Sequence, residues 1–166
     1  MNDMNGLLRL LSDRARETLS LRWFGLTQIP VLFYFRVSVA EISKERMVVR
    51  IPLRRRTKNH LGSMYFGALC AGADCAAGAF AMHLIKRQPT HISLVFKDFS
   101  AEFLKRAEGD VDFCCNQGQE IAKLVAQAAA SDERVERQLD VIATVPSLSD
   151  EPVARFKLTL SLKRRG

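Results

Sequence analysis

The chain has 166 residues, 48% of them hydrophobic and 26% charged, with a formal net charge of +7. That length supports one domain over residues 1–166, with a helical extension at 1–30, and the composition is that of a soluble globular protein and not a disordered one. Basic clusters at Arg54, Arg55, Arg56 and Lys58, at Lys86 and Arg87, and at Lys163, Arg164 and Arg165 can attract phosphates or form solvated surface. One Trp and two Tyr, not interleaved with the basic residues, lend little support to a base-stacking platform, so no nucleic-acid partner is expected.

In chain order, residues from about Asn5 to Leu19 read as an amphipathic helix. Leu7, Leu8, Leu11 and Ala15 share one face, with Arg9, Asp13 and Arg16 opposite, and the acidic and basic residues argue against a signal peptide. Pro30 breaks the next apolar run. Phe35, Val37 and Val39 alternate with Arg36, Ser38 and Ala40, as in a strand. A turn at Ser43 to Glu45 leads into a second strand over Met47 to Leu53, giving a hairpin with Pro52 at its end or at a sheet edge.

The stretch from Tyr65 to Ile85 reads as one long helix. Beyond it, Ile92, Leu94 and Phe96 share one parity and Phe99, Ala101 and Phe103 the other. Such a flip predicts a bulge near Lys97 and Asp98. Val111, Phe113 and Cys115 line the next strand. Asn116 and Gln119 have the spacing of a capping box for a helix through Ile121, Leu124, Val125 and Ala128. Two strands close the chain. Val135, Leu139, Val141, Ala143 and Val145 line the first, with Arg137 as exception. Phe156, Leu158, Leu160 and Leu162 line the second, with Lys157, Thr159, Ser161 and Lys163 outside. The expected class is α+β: about six one-sided antiparallel strands and three helices.

Cys70, Cys75, Cys114 and Cys115 do not stand at metal-ligand spacing with a His or a second Cys, so no metal is expected. They read as small core residues in a reducing, cytoplasmic compartment.

The long helix is about 30 Å at 1.5 Å per residue, enough to span a bilayer. Its small residues and the acid near its middle, Asp74, argue instead for a helix wrapped by the strands, with no membrane span. Counting by three and four from Asp74 gives Gly67, Cys70, Ala71, Ala77, Gly78 and Ala81, a face almost bare of side chain. Close packing against a sheet or a second subunit explains the glycines but not the carboxylate. An Asp among apolar atoms must be paired, protonated or in contact with a ligand or water.

The string Asn59, Gly62, Tyr65-Phe66-Gly67 and Asp74 resembles the hotdog-fold thioesterases, in the subgroup that hydrolyses phenylacetyl-CoA and related acyl-CoA thioesters. The wording of Asn59 to Gly78 and Phe96 to Phe103 is similar to an uncharacterised branch of possible thioesterases. The resemblance covers roughly Phe35 to the C-terminus. It implies a long central helix swaddled by an antiparallel sheet, and a homodimer or dimer of dimers with sites between subunits. Asp74 would be the base or nucleophile, the backbone N–H of Phe66 the oxyanion donor, and Asn59 would orient water or the thioester. Tyr65, Gly67, Gly62 and Gly78 would border the substrate. Lys97 at the bulge has two readings, a side chain turned toward the substrate and a surface salt bridge. No cofactor is implied beyond coenzyme A as part of the substrate, whose phosphates the basic clusters could hold. Tyr65 stands where the subgroup has His and Phe66 where it has Gly, so a non-catalytic acyl- or lipid-binding protein is the alternative to an acyl-CoA or acyl-carrier thioesterase.

Overall fold

A computed structural model of the chain describes residues 12–165. Its elements are α1 (Asp13–Thr27), α2 (Pro30–Phe35), β1 (Ser38–Ile42), β2 (Met47–Ile51), α3 (Phe66–Ile85), β3 (Ile92–Phe103), β4 (Val111–Cys115), α4 (Gly118–Ala130), β5 (Val135–Val145) and β6 (Ser149–Arg164). The strands form one six-stranded sheet in the order β1-β2-β4-β5-β6-β3, every neighbouring pair antiparallel. β1 and β3 are therefore its edges.

Period-two patterning decides which face of the sheet is dry. Val111, Phe113 and Cys115 of β4, Leu139, Val141, Ala143 and Val145 of β5, and Phe156, Leu158, Leu160 and Leu162 of β6 are buried together. Against them lies α3, with Ala68, Ala73, Ala76, Ala77, Phe80 and Ala81 inaccessible to solvent. The alanines let the helix lie close to the strands, and at Gly72 even a methyl group is excluded. A Cβ there would stand 2.3 Å from the Phe113 ring. α4 adds Ile121, Leu124, Val125 and Ala128 to the same core, at the spacing expected.

The bulge in β3 falls where the parity flip predicts, as a register shift between Phe96 and Phe99 opposite β6. Pro52 follows the end of β2, where its missing N–H removes no ladder bond.

Several expectations are corrected. The N-terminal helix does not stop near Leu19 but runs to Thr27, and Ser12 caps it by accepting a bond from the Ala15 N–H. The readings at Leu7, Leu8 and Leu11 lie outside the described residues. Phe35 ends a short helix instead of opening a strand. Pro30 pre-sets its first turn, and Arg36 closes it in the left-handed region at φ 58°. The described residues thus hold four helices, not three. The capping box is absent. The N-cap of α4 is Gln117, whose side-chain oxygen accepts from the Asp140 N–H, while Asn116 accepts from the Cys114 thiol. Ser161 is buried, and its hydroxyl bonds Glu136. Cys75 and Cys115 are core residues, but Cys70 and Cys114 are only half-buried.

Candidate active site

The segment entering α3 is held by backbone and hydroxyl groups. The buried Thr57 donates its hydroxyl to the Pro52 carbonyl at 2.7 Å and accepts the Arg54 N–H at 2.9 Å. Its own carbonyl accepts the Tyr65 N–H at 2.7 Å, and the Met64 N–H reaches the Ala107 carbonyl at 2.8 Å. These bonds fix the direction in which the helix starts.

Between them, Asn59 builds the loop. Its side-chain oxygen accepts from the N–H of Leu61 at 2.9 Å and of Ser63 at 3.2 Å, and its amide nitrogen donates to the Ser63 hydroxyl at 3.1 Å. Gly62 follows at φ 85°, a conformation that a side chain strains, with open space around it. Its role is thus conformational. Thr57 and Ser63 do not stand out in the sequence, because their importance rests on contacts with backbone groups that no local pattern reveals.

Tyr65 occupies the N-cap position of α3, and its ring lies over Gly67, where a Cβ would come within 2.4 Å of the ring. The Phe66 ring does not turn inward. It is 59% exposed and meets Tyr65 edge-on at 5.0 Å and Phe103 at 6.5 Å between centroids. Phe103 and Phe99 pack on Phe156, which links this aromatic row to the core. The N–H groups of Phe66 and Gly67 find no acceptor among the described residues. They stand at the positive end of a 20-residue helix, an electrostatic setting suited to an oxyanion.

Asp74 is partly buried midway along α3. Burial pushes its carboxyl above the usual range, and no neighbouring charge opposes that shift. Gly78 leaves room beside it. A Cβ at Gly78 would lie 3.9 Å from Asp74 Oδ1 and 3.4 Å from the Phe96 ring. The carboxylate and the Phe96 ring thus both border the position that a side chain at Gly78 would take. Phe96 completes this corner, and its parity with Ile92 and Leu94 was the signal available for it.

Phe66 and Asp74 are eight residues apart, about 12 Å along the helix axis. Within one chain, donor and acid therefore sit near opposite ends of any thioester laid along α3. Lys97 points elsewhere, to Glu136 at 2.7 Å on the exposed surface. Burial raises the pKa of all four thiols, Cys115 to about 11, which keeps them protonated and poor nucleophiles. Among the described residues no His, Cys, Asp and Glu cluster is arranged to hold a metal.

Solved structures share this arrangement. A Chlorobaculum tepidum protein of unknown function superposes with a TM-score of 0.78 at 11% identity, over 92% of this chain and 97% of that one. A Pseudomonas aeruginosa protein described as a probable thioesterase gives 0.71 at 21% identity, over 89% and 96%. A Haemophilus influenzae thioesterase gives 0.63 at 12% identity, over 86% and 88%. At such identities the likeness is one of fold, and the fold is the hotdog fold. The family model for the domain of unknown function DUF4442 matches residues 21–162, and the chain belongs to that family. No curated protein matches it.

Proposed function

We propose that the protein hydrolyses acyl-CoA or acyl-carrier thioesters, with Asp74 as the group that activates water or attacks the carbonyl. The observation carrying this reading is Asp74 itself. It is a half-buried acid without a partner among the described residues, and the residue one turn on, Gly78, places no side chain against it. A carboxyl with a raised pKa is a stronger base once ionised than an ordinary surface Asp, which suits proton removal from water.

The donor for the developing oxyanion is the N–H of Phe66. Because it stands about 12 Å from Asp74 on the same helix, a complete centre takes the donor from one copy of the chain and the acid from another. Two features of β3 favour such a pairing: it is a sheet edge, and past its bulge Phe99 and Phe103 are exposed instead of covered by α3. Asn59, with its side chain engaged inside its own loop, serves to hold the helix start in position. The solved thioesterases of the same fold are consistent with this chemistry.

The exposed Tyr65 and Phe66 rings favour a second reading, an acyl-ligand binder without turnover. One experiment separates the two: thiol release from a panel of acyl-CoAs by the wild type and by Asp74→Asn, together with native mass spectrometry. Turnover by the wild type, lost in the variant by about a hundredfold or more, is the expected result. Equal rates in both, or a retained acyl ligand with no turnover at all, would overturn it.

A further inference from the structure

α1 and α2 carry an apolar surface that the rest of the described fold leaves uncovered. Along α1 only Gly25 is buried, because a Cβ there would press on α2 at the Phe33 nitrogen, 2.8 Å away. Leu19, Trp23 and Leu26, spaced four and three apart, form an outward stripe, and Ile29, Val31 and Phe33 are exposed past the turn. Trp23 is 66% exposed. An exposed Trp with Leu residues on the same helix face is the kind of apolar surface that marks an interaction site.

Basic groups flank the stripe on both sides. Leu19 is the ridge between two open clefts. The one between α1 and β1, about 580 Å³, is lined by Arg14, Arg22 and Arg50. The one between α1 and α3, about 410 Å³, is lined by Arg16, Lys86 and Arg87. Lys86 is fixed beside α1 by donating to the Ser20 hydroxyl at 2.8 Å. At the far end, the Arg56 guanidinium lies 5.0 Å from the centre of the Tyr34 ring. Asp13 pairs with Arg16, Glu17 with His83 and Asp112 with Arg50, so the basic side chains of this face without an acidic partner among the described residues are Arg14, Arg22, Lys86 and Arg87.

We infer that α1 and α2 dock the protein on an anionic lipid surface, with Leu19, Trp23 and Leu26 entering the headgroup layer and the flanking Arg and Lys side chains meeting lipid phosphates and carboxylates. With α1 in the plane of the interface, Leu19, Trp23 and Leu26 lie below and Arg14, Arg22, Lys86 and Arg87 reach the headgroups, and Trp is a side chain suited to that boundary. A second copy of the same face would bring basic cleft against basic cleft, so charge favours the anionic bilayer over self-association.

Trp23 is the only tryptophan of the chain and reports on its own surroundings. The test is Trp emission of the full chain titrated with vesicles of phosphatidylserine and phosphatidylcholine, and with phosphatidylcholine vesicles alone. The expected result is a blue shift with the anionic vesicles, weakened by salt. Leu19→Ser with Leu26→Ser should abolish it. Lys86→Gln with Arg87→Gln should weaken vesicle affinity about 25-fold, at roughly fivefold per basic residue removed from the surface. Circular dichroism verifies that each variant keeps its fold, and the wild-type titration stands without them. Unchanged emission, an equal response to neutral vesicles, or a blue shift that follows protein concentration without vesicles would overturn the inference.

Discussion

At Asp74, burial acts on the acid with no opposing charge, and the consequence for stability has a definite sign. Its carboxyl keeps a proton in the folded state at a pH where the unfolded chain has released it. Stability therefore falls as pH rises from the ordinary carboxylate value through the raised one, and stays lower above it. Asp74→Asn should remove that fall and leave the protein more stable near neutral pH, as read by urea unfolding. A less stable variant would mean that the ionised acid has a favourable partner. The glycines of α3 make a second contrast. Gly72→Ala drives a methyl group into the Phe113 ring and should cost about 1–3 kcal/mol. Gly78→Ala meets Phe96 at ordinary contact distance and should stabilise the helix by about 0.5–1 kcal/mol while slowing turnover, because it fills the space beside Asp74. Thermal unfolding and acyl-CoA assays on the two variants measure both effects.

Among the elements, α3 was legible because its run of small and apolar residues is long, and β5 and β6 because alternation persists along them. The bulge in β3 was legible because a parity flip has few other causes. The short helix α2 was not. Phe35, Val37 and Val39 are all buried as alternation implies, but a helical turn closed by a left-handed Arg36 places Phe35 inward as well as a strand would. The capping box failed because Gln117 is drawn to the backbone of β5, a partner remote in sequence. The Asn59 loop lies between these cases: its residues matched a pattern, yet the bonds that give Asn59 its place involve Ser63, which the pattern omits. Asn59→Ala leaves the N–H groups of Leu61 and Ser63 without their acceptor. It should cost about 1–3 kcal/mol in urea unfolding, with hydrogen exchange quickening first in the loop before α3.

For the whole molecule, the site residues divide into a helix-start group around Tyr65, Phe66 and Gly67 and an acid group of Asp74, Gly78 and Phe96. Sequence register identified members of both groups, but not the exposure of Phe66, Phe99 and Phe103 or the contact between Phe66 and Phe103. Those depend on how β3 crosses the start of α3, which only the folded chain defines. If a second copy completes the centre, sedimentation should give at least a dimer. Phe99→Lys with Phe103→Lys should then lower both the mass and the turnover, and a fully active monomer would exclude a shared site. The most direct measurement is the pH dependence of kcat/KM for the best acyl-CoA from about pH 4 to 9. Wild-type activity should rise with pH as Asp74 ionises, at a midpoint above the ordinary carboxylate range, and that rise should vanish in Asp74→Asn along with most of the rate. A profile and rate shared by both proteins would contradict the role of Asp74.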